Sequence, residues 1–319
     1  MRIIFPNFFA PHQITGGIKI AYRCAEILSE SGYEAMIWQP AGPPTWLDTT
    51  AAVIAELTVR IAPEDILVFP EALSKPFLDL LKQRPPATKL LFCQNPYNLF
   101  GNEFFARQTP RELGFAKILC VAHTTRNMLA RVFGYDDIAF MPIAVDAEIF
   151  RPRQKTMQIA FSPRKLRWHA DIIRRLFATK FPHMRHIPWK PIEGVSEARA
   201  AEIMGESHVY LALGHLESCP LMSLEAMSAG CAVVGYHGYG GLEYATPRNG
   251  FWHYNDEIEE VVDDLHRAVT GIEQGDPLIH AMIAEGRATA ARFNSAAMRD
   301  ALTGFIRTVA TPPSPALTV

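Results

Sequence analysis

The sequence lacks any run approaching about 20 uninterrupted apolar residues, so no segment reads as a membrane-spanning helix. Its apolar start, Met1-Arg2-Ile3-Ile4-Phe5, is ended by Pro6 and is too short for a secretion signal. The five cysteines (Cys24, Cys93, Cys120, Cys219 and Cys231) form no C-x-x-C pair and join no cluster with histidine. That excludes a zinc ribbon and a disulfide framework and points to a reducing compartment, the cytosol. Charge of one sign is also missing: the formal net charge is −2 and neither half is basic, which removes the electrostatic basis for a nucleic-acid partner. No low-complexity tract is present, nor any repeat at the roughly 20–50-residue periods of solenoids. The chain has no D-x-D, no Walker pattern and no full G-x-G-x-x-G, so no metal requirement and no resident cofactor are expected.

What is present is apolar material in an ordered rhythm. The 319 residues are 49% apolar and 20% charged, enough for two cores in two domains of about 150 residues each. Short apolar runs at 2–5, 34–38, 66–69, 89–93, 118–121 and 138–141 alternate with amphipathic segments at 18–31, 73–82 and 124–132. The pattern breaks at 142–152 and restarts at 157–161, with further strands expected at 208–213 and 232–235. Helices are expected at 196–205, 221–229, 256–271, 278–293 and 295–309, followed by a frayed polar tail at 311–319. Strand–helix alternation predicts α/β architecture with parallel sheets. The division is placed around 143–156, giving one domain over 1–150 and a second over 151–319, with a ligand cleft beyond the strand carboxyl ends.

Four stretches carry chemistry. Thr15-Gly16-Gly17 opens a helix and suits close backbone approach to an anion, with a plain tight turn as the competing reading. Ser162-Pro163-Arg164-Lys165 follows a strand and sets a guanidinium fork and a point charge where a phosphate would lie; a solvated basic turn is the alternative. Between strand 208–213 and helix 221–229, Glu217 is expected in the loop at the helix N-terminus. Glu225 lies two turns in, so the two carboxylates stand roughly 10 Å apart along the axis. The N–H groups of 219–222 would face a phosphate between them, and Gly230 stops the helix. This is the layout of a sugar nucleotide: sugar hydroxyls, diphosphate, ribose. The Gly238-Tyr239-Gly240-Gly241-Leu242-Glu243 loop reads either as a further diphosphate approach or as a plain turn.

In this order the pieces resemble the retaining GT-B glycosyltransferases of the group one, or family four, type. Glu217 to Glu225 matches that family's E-x7-E motif, and Gly240-Gly241-Leu242-Glu243 its GG-x-E element. Residues 142–152 resemble its interdomain N-G-V-D-xxx-F-x-P stretch, with Ile143-Ala144 in place of Asn-Gly. The resemblance runs from Gly16-Gly17 almost to the C-terminus and is most specific in the second half. It implies a GT-B fold of two facing Rossmann-like domains, acceptor-side first and donor-side second, with the last helix packing back on the first domain.

Carried onto this chain, the resemblance assigns Glu217, Arg164 and Lys165 to catalysis. It gives the nucleotide-sugar to Gly16, Gly17, Gly194, Ser218, Cys219, Pro220, Leu221, Glu225 and Gly241. Residues 191–195 resemble the part that meets the nucleobase. Gln94, Asn95 and Tyr97 fall on the acceptor side. Two positions depart from the family: His169 stands where a lysine is common, and Gln94 where a histidine is common. Gln and Asn can hydrogen-bond sugar hydroxyls but cannot act as a base near neutral pH.

The implied activity is metal-independent transfer of a hexose-type sugar from a UDP- or GDP-linked donor to a glycan or lipid-linked hydroxyl, with retention, in bacterial polysaccharide or glycoconjugate synthesis. A sugar-nucleotide epimerase would instead turn over without acceptor, and a non-catalytic binding protein would not turn over at all. The aromatic loop 97–105 is open to three readings: peripheral contact with the inner face of the membrane, a wall of the acceptor site, or packing under a neighbouring helix.

Overall fold

The structure, a computed structural model, describes residues 1–101, 105 and 107–310. The tail 311–319 and residues 102–104 of the aromatic loop lie outside the described residues. Seven parallel strands form the first sheet: β1 (Arg2–Pro6), β2 (Glu34–Trp38), β3 (Ala52–Ile54), β4 (Ile66–Pro70), β5 (Thr88–Cys93), β6 (Phe115–Cys120) and β7 (Ile138–Phe140). Their order is β3-β2-β1-β4-β5-β6-β7. Helices α1 (Gly16–Glu30), α2 (Lys75–Lys82), α3 (Pro96–Phe100) and α4 (His123–Phe133) connect them. Continuous burial of Ile3, Ile4 and Phe5 in β1 is what a central parallel strand covered on both faces requires.

A second parallel sheet contains β8 (Thr156–Phe161), β9 (Trp189–Pro191), β10 (Ser207–Glu217), β11 (Ala232–Tyr239) and β12 (Phe251–His253), in the order β12-β11-β10-β8-β9. Its helices are α5 (Arg167–Lys180), α6 (Glu197–Glu206), α7 (Leu221–Ser228), α8 (Ile258–Gln274) and α9 (Pro277–Ala291), and α10 (Ser295–Ala310) closes the described chain. The strand order reverses between β1 and β4 in one sheet and between β8 and β10 in the other. Ligands of open α/β sheets bind beyond such switch points. The two switch points place the loop after β1, Glu71 after β4, Arg164-Lys165 after β8 and Glu217 on β10 around one space.

Each sheet has an outer apolar core of its own, one around Phe69, Phe77 and Phe115, the other around Ile173, Phe177 and Leu265. The inner faces share a third, which runs from Ile3 and Tyr22 through Phe150 to Tyr210 and Leu224. Phe150, between the sheets in sequence, is fully buried where they meet. Helix α10 returns to the first sheet: Arg299 pairs with Glu30 at 2.6 Å, and Lys117 reaches Thr308 at 3.3 Å.

Three short edge strands, β3, β9 and β12, and the five-residue helix α3 have no counterpart in the sequence-based expectation. Strand β10 is longer than expected and runs through Glu217, which ends a strand rather than sitting in a loop; three residues, Ser218-Cys219-Pro220, remain before α7. The extension follows a register shift between Gly214 and Glu217, with Leu216 at φ 45°. Helix α7 ends as expected, Gly230 adopting φ 74° with its Cα face against Pro152.

Lys155 ties the second domain together. Its ammonium donates to the carbonyls of Met204 (3.2 Å), Ser207 (2.7 Å) and Ala229 (2.6 Å), which satisfies the carbonyl ends of α6 and α7 at once. Burial pulls its pKa down, yet three carbonyls hold the cation. Lys155→Met should lower the unfolding free energy by about 2–3 kcal/mol, read by denaturant titration, because charged hydrogen bonds are lost and the carbonyls stay buried.

Candidate active site

A cleft of about 700 Å³ separates the two sheets. Gly16, Gly17, Gln94, Asn95 and Tyr97 line it from the first domain; Arg164, Lys165, Gly194, Glu217, Glu225 and the 218–221 turn line it from the second. Of the expected site residues, Gly241 alone stands outside this lining. It is buried, and its Cα faces His237, Pro220 and the Tyr244 hydroxyl. In this loop Gly240 approaches the backbone of Glu217 and Ser218 and Gly241 neighbouring side chains, both outside the cleft lining.

The first wall is set by α1. Thr15, extended at φ −143° and ψ 146°, caps the helix by accepting the Ile18 N–H, and of the two glycines that follow at the cleft Gly16 is open while Gly17 lies against the Gln94 side chain. Gln94 braces this turn: its side-chain amide donates to the Gly17 carbonyl at 2.9 Å. A residue expected to approach the donor and one expected on the acceptor side are thus joined directly. Asn95 caps α3 through the Tyr97 N–H, and its amide crosses the cleft to the Leu216 carbonyl at 2.9 Å. Tyr97 is 37% exposed at the rim, while Leu99 is buried and Phe100 stacks on Phe133 at 5.7 Å, so the described part of the aromatic loop splits between cleft wall and helix packing.

On the second wall the Lys165 ammonium lies 2.8 Å from Glu217 Oε2. Arg164 is exposed and makes no ion pair among the described residues. His169 does not line the cleft: its Nδ1 lies 3.1 Å from the Tyr236 hydroxyl, and burial lowers its pKa, with His215 adding to the effect. Arg167 pairs with Glu193.

Contacts between the walls close the space. Ser218 Oγ lies 2.6 Å from Thr125 Oγ1, both buried. Glu243 supplies what α4 lacks. Ala122, the residue before α4, offers no side-chain cap, and the Thr124 N–H and hydroxyl donate to Glu243 Oε1 at 2.6 and 2.9 Å.

Two carboxylate arrangements escaped sequence reasoning. Glu71, 5% exposed, accepts the Gln94 N–H and the Asn98 amide, each at 3.1 Å. It lines the cleft with no cation beside it among the described residues, and burial raises its pKa. Its signal was its place, one residue past the carboxyl end of β4. The other is a charged network around Glu225. Lys19 lies 2.6 Å from Glu225 Oε1 and 2.5 Å from Glu197 Oε1, and Arg23 lies 3.0 Å from Glu197 and 2.7 Å from Glu26. Burial pulls Lys19 down, but the two carboxylates outweigh it and hold its pKa above the ordinary value. Removing one partner of such a buried pair costs about 3–5 kcal/mol, through the charge left behind. The signal was a lysine on the buried face of α1, between Ile18 and Ile20.

Over 215 residues the chain is 26% identical to an alpha-1,6-glucosyltransferase of Actinobacillus pleuropneumoniae serotype 7 (strain AP76), covering 66% of this chain and 60% of that protein. The match thus spans less than two thirds of that relative's length. Among solved structures, a glycosyltransferase from Rickettsia africae ESF-5 matches at a TM-score of 0.69 over 98% of this chain and 99% of that one, with 13% identity. Anabaena Alr3699/HepE, solved in complex with UDP-glucose, matches at 0.67 over 97% and 100%, with 11% identity. No family model matches. The chain is homologous to a glycosyltransferase, and its two parallel-sheet domains have the GT-B fold.

Proposed function

We propose that the chain is a retaining, metal-independent glycosyltransferase. It moves a hexose-type sugar from a UDP- or GDP-linked donor to a hydroxyl of a glycan or lipid-linked acceptor, in bacterial polysaccharide or glycoconjugate synthesis. One observation carries the reading: Arg164, Lys165, Glu217 and Glu225, gathered at the switch point of the second sheet, face Gly16 and Gly17 across a single cleft. The relative's activity supports a hexose, and the UDP-glucose held by the Anabaena protein supports a nucleotide-linked donor. Residues 151–319 then hold the donor and residues 1–150 the acceptor side.

In this reading Glu225 takes ribose hydroxyls and Glu217 takes hydroxyls of the transferred sugar. The bond from the anomeric carbon to the diphosphate oxygen breaks, and Arg164, Lys165 and the first N–H groups of α7 meet the charge that develops there. The acceptor oxygen bonds to the same face of that carbon, and its proton passes to the departing diphosphate. Lys165, already paired with Glu217, is shared between the sugar and the leaving group.

The purified chain, without added metal, should release nucleoside diphosphate from one donor of a sugar-nucleotide panel, with the product's anomeric configuration read by NMR. Glu217→Ala should lower that release by about 10²-fold or more while the melting temperature holds. A donor that raises the melting temperature but is never turned over, even with cell-extract acceptors, would sink the enzyme reading in favour of a binding protein.

A further inference from the structure

The charged network around Glu225 is built from both domains. Helix α1 of the first domain presents Lys19 and Arg23, one turn apart, to Glu225 on α7 and Glu197 on α6 of the second. The Lys19 ammonium also lies 4.7 Å from the centroid of Phe150, the buried residue of the interdomain segment. Beside it the Glu197 N–H donates to the Trp46 carbonyl at 3.0 Å, again across the domains. Lys19, Arg23, Glu26, Glu197 and Glu225 together hold one more negative charge than positive, all at low exposure. Lys19 takes Glu225 Oε1, while Glu225 Oε2 has no protein partner among the described residues, and both residues line the cleft.

We propose that Lys19 is a positioning residue that bridges the two domains and completes the ribose end of the donor site. Its ammonium, set between Glu197 and Glu225, cancels their mutual repulsion, draws α1 onto α6 and α7, and leaves Glu225 Oε2 for a ribose hydroxyl. The ribose half of this proposal rests on the donor reading above; the bridging half does not. An ordinary interface ion pair would hold the domains together as well, but it would have no influence on whether the ligand carries ribose hydroxyls. Glu225 on its own would be a buried carboxylate beside Glu197, and burial already pushes its carboxyl up. A protonated Glu225 would lose the charged hydrogen bond that distinguishes a ribose from its deoxygenated form.

The test uses the full chain and its Lys19→Met and Lys19→Arg variants, with folding checked by circular dichroism. Uridine and guanosine diphosphate and their 2′,3′-dideoxy counterparts are titrated by calorimetry. The wild type should prefer the ribose form of its nucleotide by about ten-fold or more, the size expected for hydrogen bonds to a charged group. Lys19→Met should reduce that preference to within about two-fold, and Lys19→Arg should recover part of it. Full preference in Lys19→Met would overturn the ribose role. In parallel, small-angle scattering of the ligand-free chain should give a larger radius of gyration for Lys19→Met than for wild type. An unchanged radius would overturn the bridge. If wild type binds neither diphosphate while Lys19→Met still expands, the donor reading and the ribose role fail and the bridge stands. Should Lys19→Met not fold, Lys19→Gln, which keeps a hydrogen-bond donor without the charge, takes its place with the same expected losses.

Discussion

Arg164→Ala should leave the chain as stable as wild type and lower kcat by about 10²–10³-fold, the loss seen when a preorganised group facing developing charge is removed. The two halves of this expectation come from one feature: Arg164 is exposed at the end of β8 with no ion-pair partner among the described residues, so deleting it strands no buried charge. Lys165 is a poorer probe, because its removal also frees Glu217, now 2.8 Å from its ammonium. Lys165→Ala would therefore mix loss of leaving-group stabilisation with loss of a sugar contact. Arg164→Lys should recover only part of the rate, since a point charge cannot reproduce the planar fork on a diphosphate. The measurement is donor-dependent nucleoside diphosphate release at saturating donor, with the melting temperature as control. A change confined to KM would show that Arg164 binds ground and transition states equally, and would remove it from the leaving-group role.

The fold was legible because its signals are local. Apolar runs such as 66–69 and 89–93 alternate with amphipathic segments able to cover both faces, and that alternation reads as a parallel sheet. The edge strands β3, β9 and β12 leave no such trace: Trp189–Pro191 is one apolar ring, a lysine and a proline, and becomes a strand only because β8 offers it a partner. The cleft was legible in the same measure. Glu217, Arg164, Lys165 and the 218–221 turn sit at strand ends and helix starts, which local pattern reveals. The contacts that join the domains are not local. Lys19 and Glu225 are 206 positions apart, and Thr124 and Glu243 are 119 apart. Sequence reading placed Glu225 as a ligand contact on one helix, with nothing to show that a lysine from the other domain occupies one of its oxygens. Gln94 likewise reads as an acceptor contact, and only the folded chain shows its amide bracing Gly17. What the sequence hides is the second layer of the site, which holds the ligand-facing residues in place.

Gly240→Ala, a change of one methyl outside the cleft lining, should cost turnover on the same scale as substitutions within it. A Cβ at Gly240 would lie 2.0 Å from the Ser218 carbonyl oxygen, 2.2 Å from that of Glu217 and 2.2 Å from the Ser218 carbonyl carbon. All three are backbone atoms, so no side chain can rotate away. Nor can the 217–218 peptide retreat freely, because Ser218 is held by Thr125 at 2.6 Å and Glu217 stands opposite Tyr239 on β11. Tyr239 already sits at φ 63° and ψ −55°, a conformation that L residues rarely adopt, so the loop has little room to take up the shift itself. The relief must come from moving Glu217 and the start of α7. Misplacing reacting groups by about 1 Å can cost about 10²-fold in rate, and overpacking a filled site adds about 1–3 kcal/mol of destabilisation. Gly241→Ala is the matched control: its nearest Cβ contact is the His237 side chain at 3.3 Å, a neighbour that needs to give by only a few tenths of an ångström. Loss of turnover in Gly240→Ala with near-normal turnover in Gly241→Ala would establish that the glycine loop acts by seating Glu217. Equal losses in both would instead return the loop to direct contact with the donor diphosphate.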